Sequence, residues 1–296
     1  MRVKVKEVGP RDGLQNEPVF IQTEDKIAWI NQLSKTGLSY IEVTSFVHPK
    51  WIPQLADAYE VASSIERVEG VTYAALVPNK KGLEGALAAN MDEIAVFMSA
   101  SETHNRKNIN KSIEETYPVL KEVIDEAKRA NKTVRGYVST VFGCPYEGEV
   151  SIERVIAISD RLFELGIDEL SLGDTIGVAN PIQVQRTLEQ LLKRFPAEKM
   201  ALHFHNTRGM ALANVFASLQ MGMTIFDSSL GGLGGCPYAP GASGNLPTDD
   251  LVYMLTQIGI DCGVHLESLT EAAQWIEEKI GRPLTSHHSH VVRGNA

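Results

Sequence analysis

Strand-like segments rich in β-branched residues alternate with amphipathic stretches of helical length from residue 3 to about residue 230, and this alternation limits the fold more than any other property of the chain. Parallel strands cannot be joined by a tight turn, so each strand needs a crossover and the whole run implies parallel βαβ units. Eight strands are expected, over residues 3–8, 40–45, 72–77, 93–98, 133–141, 169–172, 200–205 and 224–228. Helices are expected over 23–35, 54–65, 113–130, 152–165, 181–192 and 210–221. In the first of these Ile27, Ile30 and Leu33 share one face behind a Thr23 cap, and in the fifth Pro181 stands at an early helical position.

Eight strand–helix units that close on themselves form a (β/α)8 barrel, the TIM barrel, within the α/β class. A doubly wound open sheet is the alternative, but it usually carries a glycine-rich phosphate loop after its first strand. Here the first strand runs instead into Gly9-Pro10-Arg11-Asp12-Gly13. No linker, low-complexity tract or shift of composition divides the chain, so residues 1–296 are read as one catalytic domain. The barrel occupies about 3–230 and a glycine-rich lid loop follows at 231–245. Extra C-terminal helices, near 249–258 and 266–279, flank the barrel within 247–280.

A length of 296 residues suits such a barrel, which typically needs about 250. The net charge of −9, with no basic cluster, argues against nucleic acid as a partner. No apolar run is long enough to cross a bilayer, so no membrane partner is expected. Three cysteines, Cys144, Cys236 and Cys262, show no pairing pattern and read as free thiols of a reducing compartment. Neither end of the sequence carries a targeting signal, which makes a cytoplasmic protein the expectation.

Chemistry in a barrel of this kind sits at the carboxyl ends of the strands, so unusual polar residues should gather there. They do: Arg11 and Asp12 follow strand one, Glu42, Thr44 and Ser45 end strand two, and Asp174 and Thr175 follow strand six. His203 and His205 close strand seven and share one face, since side chains alternate along a strand. Taken alone, the pair is as compatible with two satisfied core histidines as with half a metal site. Asp12 adds a carboxylate and Asn245 an amide oxygen, and this oxygen-rich set suits Mg²⁺ or Mn²⁺ better than structural zinc. Asp12 taken locally also fits a turn residue in Arg-Asp-Gly, and Arg11 a salt-bridging arginine.

Glu42 and Asp174 end apolar strands, where an unpaired charge is costly, so each should face a cation or the surroundings of the metal, with pairing to Arg11 as the structural alternative. Cys236 lies in the glycine-rich loop, whose backbone can approach a ligand closely, and a working thiol on a closing lid competes with an incidental one on a merely flexible loop. The polar stretch 101–108, with His104 and Asn108, falls on the same rim, while the histidines of 286–290 read as a solvated tail.

With these motifs in view the sequence resembles the metal-dependent lyase and Claisen-condensing barrel family and, within it, the 3-hydroxy-3-methylglutaryl-CoA lyases. The resemblance covers nearly the whole chain and rests on residues 9–17, 41–51, 171–177, 203–207 and 231–245. It implies retro-Claisen cleavage of 3-hydroxy-3-methylglutaryl-CoA to acetyl-CoA and acetoacetate. A divalent metal, Mg²⁺ or Mn²⁺, would be held by Asp12, His203, His205 and Asn245. Arg11 would stabilise the enolate oxygen, Ser45 would meet the substrate, and Cys236, Asp174, Glu42 and His203 would complete the catalytic set. The partner implied is a small acyl-CoA, and the assembly implied is a homodimer. Animal relatives carry a further cysteine near the C-terminus linked to thiol control; residues 263–296 have none, so regulation of that kind is not expected. Alternatives are a Claisen-condensing acyl-CoA synthase or an aldolase on the same scaffold and, from another class, a metal-binding barrel without catalysis.

Overall fold

A computed structural model of the chain describes residues 2–235 and 244–294. Eight parallel strands close into a barrel in sequence order: β1 (Lys4–Glu7), β2 (Tyr40–Ser45), β3 (Thr72–Leu76), β4 (Glu93–Ser99), β5 (Thr133–Ser139), β6 (Glu169–Asp174), β7 (Met200–Phe204) and β8 (Ile225–Ser228). Closure is made by β1 on β8, from Lys4 opposite Ile225 to Glu7 opposite Ser228. The barrel and its eight strands are those the alternation predicts, with boundaries moved by a few residues. β5 stops at Ser139, because Thr140 takes a left-handed conformation with φ 63° that no strand continues.

Around the barrel stand α1 (Thr23–Leu33), α2 (Ala58–Ser64), α3 (Lys80–Ala88), α4 (Glu102–Ile109), α5 (Ile113–Arg129), α6 (Ile152–Leu165), α7 (Pro181–Leu191) and α8 (Ala211–Gln220). Past β8 come α9 (Thr248–Gln257), α10 (Leu266–Ile280) and α11 (His287–Gly294). Their starts are fixed locally: Ser112 and Glu115 close a capping box on α5, and the Asn180 side chain accepts from the Gln183 amide ahead of Pro181 in α7. No helix among the described residues is long and apolar enough to cross a membrane.

Besides α3, where no helix is expected from the sequence, three elements differ from the sequence reading. The polar 101–108 stretch, where no helix is expected, forms most of helix α4, started by Ser101 accepting from the His104 amide. Thr23 does not cap α1; its hydroxyl donates to Asp57 at 2.8 Å. The histidine-bearing tail is helix α11, because Asp250 accepts the His287 and His288 amides and Asp249 accepts the Ser286 and Ser289 hydroxyls.

Alternation along the strands sorts side chains into two regions. Outward residues such as Val5, Ile41, Val43, Ile94, Val134, Val138, Leu170, Leu202 and Phe226 join the helices in one apolar cluster. The inward residues of the same strands include Lys6, Glu42, Arg135, Tyr137, Ser171, His203 and Asp227, all buried. Contacts between strands that are not neighbours establish this interior: Lys6 of β1 reaches Glu169 of β6 at 2.6 Å, and Arg135 of β5 reaches Asp227 of β8 at 2.6 Å.

Candidate functional site

The carboxyl end of β1 turns at once into a π-helical turn, Gly9–Gly13, in which the amides of Arg11, Asp12 and Gly13 all point at the Val8 carbonyl. Glu7 accepts the Gly9 amide at 2.7 Å, and a Cβ at Gly9 would stand 2.5 Å from that same carboxylate. A side chain at Gly9 would have to displace this buried carboxylate, which also accepts the Leu230 amide, and the turn presents Arg11 and Asp12 toward the barrel mouth. The Asp12 carboxylate accepts from Arg11 Nη1, from Gln15 Nε2 at 2.8 Å and from Asn245 Nδ2 at 2.8 Å.

β7 delivers the two histidines. His203 Nε2 lies 3.2 Å from His205 Nε2 and 3.7 Å from Asp12 Oδ2. One ligand atom from each of Asp12, His203 and His205 lies within 4.8 Å of the other two, a grouping that could hold a metal ion. Asn245 is set beside them by an antiparallel bridge between its backbone and that of His205. Its Oδ1 is buried and accepts from no group among the described residues, and His205 Nδ1 is buried without a partner among them as well. An orphaned carbonyl oxygen is costly unless something electropositive faces it, so the donor set of one carboxylate, two imidazoles and one amide oxygen fits a divalent cation.

The electrostatics agree. Burial opposes the charged form of Asp12, but Arg11 and His203 outweigh it and hold the carboxyl at about 2. Burial, with His203 beside it, pushes His205 down to about 4, which keeps that imidazole neutral and ready to donate a lone pair. For His203 burial works in the same direction, yet the hydrogen bond to Asp227 and the charge of Asp12 raise it.

Glu42 accepts Arg11 Nε at 2.6 Å and the Tyr137 hydroxyl at 3.3 Å, so the structural alternative, pairing with Arg11, is what the fold builds. Its other oxygen is buried without a partner among the described residues, and burial raises its pKa. Asp174 accepts the Val178 and Ala179 amides, at 2.9 Å and 3.2 Å, and burial pushes it up to about 6. Ser45 ends β2 fully buried, its hydroxyl unpaired among the described residues. Cys236 lies outside the described residues; the last residue before it that is described, Gly235, accepts from Asn16 Nδ2 at 3.2 Å.

A cavity of about 530 Å³ opens from this centre, lined by Arg11, Asp12, His203 and His205 at one end and by Trp51 and Lys111 toward solvent. His104 and Asn108, on the rim in sequence, line it too. Arg135, Tyr137 and Asp227 are site residues that the sequence reading missed. The signal was present: each is a polar side chain inside an apolar strand, the pattern that singles out Glu42 and Asp174.

The HMGL-like family model matches residues 2–276. A hydroxymethylglutaryl-CoA lyase of Bacillus subtilis is 66% identical over 294 residues, which span 99% of this chain and 98% of that one. The crystal structure of the Bacillus subtilis HMG-CoA lyase superposes with a TM-score of 0.98 at 66% identity, covering 99% of this chain and 98% of that one. An HMG-CoA lyase from Acinetobacter baumannii, solved in complex with coenzyme A and 3-methylmalate, matches with a TM-score of 0.94 at 42% identity, covering 98% and 94% of the two chains.

Proposed function

The chain belongs to the HMGL-like family, and from that membership we propose that it cleaves 3-hydroxy-3-methylglutaryl-CoA to acetyl-CoA and acetoacetate. The observation that carries this reading is the cluster of Asp12, His203 and His205 at the mouth of the barrel, with the Arg11 guanidinium fixed beside it. Asp12, His203, His205 and Asn245 would hold a divalent cation, Mg²⁺ or Mn²⁺, which when bound polarises the tertiary hydroxyl and lowers the cost of removing its proton.

The chain's own residues do the rest. Arg11 presents donors to the thioester oxygen as cleavage places negative charge on it, and because Glu42 already holds the guanidinium at Nε, no reorganisation is needed at that moment. Removal of the hydroxyl proton calls for a base ionised near neutrality. Glu42, Asp174 and His203 are the groups at hand, and burial raises both carboxyls toward that range. Ser45, whose buried hydroxyl has no partner among the described residues, would meet the acyl end of the substrate. Cys236, in the glycine-rich segment, delivers the proton that turns the acetyl carbanion into acetyl-CoA.

The open end of the cavity accommodates the coenzyme A portion of the substrate, a reading supported by the Acinetobacter baumannii relative, which was solved in complex with coenzyme A. We further read residues 1–296 as one catalytic domain that works as a cytoplasmic homodimer. The reading is tested by incubating the metal-loaded protein with 3-hydroxy-3-methylglutaryl-CoA and measuring acetoacetate, with and without a chelator. Chelator-sensitive release is expected. Condensation of acetyl-CoA with a keto acid, in place of cleavage, would assign the chain to a synthase instead.

A further inference from the structure

The charged side chains inside the barrel do not stop at the mouth. Asp227, in the middle of β8, is fully buried and its two oxygens face opposite ways. Oδ1 accepts Arg135 Nη2 at 2.6 Å, while Oδ2 accepts the Ser171 hydroxyl at 3.0 Å and meets His203 Nδ1 at 3.1 Å. Arg135 is itself 0% exposed; its Nη1 donates to the Tyr137 hydroxyl at 2.9 Å and its Nε lies 2.8 Å from Glu169 Oε1. Glu169 in turn takes Lys6 Nζ at 2.6 Å, at the far end of the barrel.

A buried ion pair adds little stability over apolar residues of the same volume, because desolvation consumes most of the attraction. Its attested use is to fix one arrangement among several. Here the arrangement to be fixed is that of an imidazole. A carboxylate wedged against a guanidinium can only accept, so the proton on His203 that faces it sits on Nδ1, and the lone pair of Nε2 is directed at Asp12 and His205. An imidazole lacking that partner could turn about its χ2 bond or place its proton on Nε2, and either change removes the donor atom from the cluster.

We propose that Asp227, held by Arg135, is the positioning residue for His203: it sets the tautomer and the ring orientation that make this histidine a metal ligand. The proposal rests on the metal site described above, not on the identity of the acyl-CoA. Metal-bound histidines commonly have such a carboxylate behind them, and its loss typically weakens affinity by about 10- to 100-fold.

The test uses Mn²⁺ alone, titrated into full-length protein stripped of metal, with free Mn²⁺ read by electron paramagnetic resonance and no substrate present. Asp227→Asn preserves the volume but puts a donor where an acceptor is needed. Its expected Kd is about 10- to 100-fold weaker than the parent's. Ser171→Ala, which removes a bond to the same carboxylate but none to the imidazole, is expected to stay close to the parent. Arg135→Lys keeps the charge and loses the two-pronged donor, and its expected Kd falls between the two.

A purely structural role would lower the melting temperature of the metal-free protein and leave the Mn²⁺ Kd of the folded fraction unchanged. That result for Asp227→Asn overturns the proposal. If Asp227→Asn does not fold, Arg135→Lys decides, and a Kd equal to the parent's overturns the proposal there. A parent that takes up no Mn²⁺ overturns the metal site and this proposal together. A parent that binds Mn²⁺ but cleaves no acyl-CoA overturns only the proposed activity.

Discussion

Two regions share the same eight strands and are built on opposite principles. The layer between sheet and helices is largely apolar, whereas the space enclosed by the sheet holds Lys6, Glu42, Arg135, Glu169 and Asp227 among partners of opposite charge. β5 shows the contrast within a few residues: Val134 and Val138 point out into the apolar layer, while Arg135 and Tyr137 point in. The outer layer accounts for stability, because apolar area removed from water is favourable wherever it is packed. The interior accounts for geometry, because each charge there is tolerated only in the place where its partner stands. A barrel of this kind thus keeps what holds it together and what makes it act on opposite faces of one sheet.

The sharpest way to break that contrast is to cut into the outer layer and watch the site. Leu162 of α6 is 0% exposed and packs near Gly136 of β5, where an added Cβ would lie 3.6 Å from its Cδ1. Leu162→Ala is expected to cost about 2–5 kcal/mol of unfolding free energy, read from chemical denaturation. Its kcat per folded molecule should stay near the parent's, and a large fall in kcat would mean that the two regions are not separable. The converse experiment is Arg11→Met. Losing a donor aimed at developing charge should cost about 3–4 kcal/mol in the barrier, a drop in kcat per folded molecule of about a hundredfold or more. Because Met also leaves the buried Glu42 carboxylate without its partner, the melting temperature should fall as well while the protein still folds and takes up Mn²⁺. Near-normal turnover would remove Arg11 from the chemistry.

Glu7 is the exception that sharpens the contrast. Its neighbour Lys6 faces inward, so Glu7 faces the outer layer, fully buried, accepting from the Gly9 and Leu230 amides and the Thr248 hydroxyl. Burial pushes its pKa up to about 7, from an ordinary value near 4.5. Because the folded state holds the proton more tightly than the unfolded one, this contribution is fully present below pH 4.5 and is lost as the pH rises through 7. The parent should therefore lose stability relative to Glu7→Gln across that window, at up to about 1.4 kcal/mol per pH unit. Denaturation midpoints of both proteins at several pH values give the difference, and a difference independent of pH would show that Glu7 stays ionised in the fold.

Much of the architecture was legible because it is periodic: β-branched runs separated by helical faces recur eight times, and only their edges shifted. α3 and α4 were missed for a local reason, since α3 carries two glycines in nine residues and α4 is almost wholly polar. α11 was missed for a long-range one, as its first turn is held by Asp249 and Asp250 of α9, which no local pattern reveals. Within the site, Asp12, His203 and His205 could be grouped from strand alternation and topology. The pairing of Glu42 with Arg11 was open as one of two alternatives, whereas the coupling of Asp227 to both Arg135 and His203 was not legible, because it joins residues that are far apart in sequence and meet only inside the barrel.

Closure of the sheet by β1 against β8 carries a consequence in time. Lys4 is synthesised long before its partner Ile225, which follows the other six strands in the chain. Until then β1 has an unpaired side, and such an edge invites pairing with other chains. Synthesis therefore passes through a long interval in which an open sheet must be kept apart from its neighbours, and the last seam to close is the one beside the Gly9–Gly13 turn that carries Arg11 and Asp12.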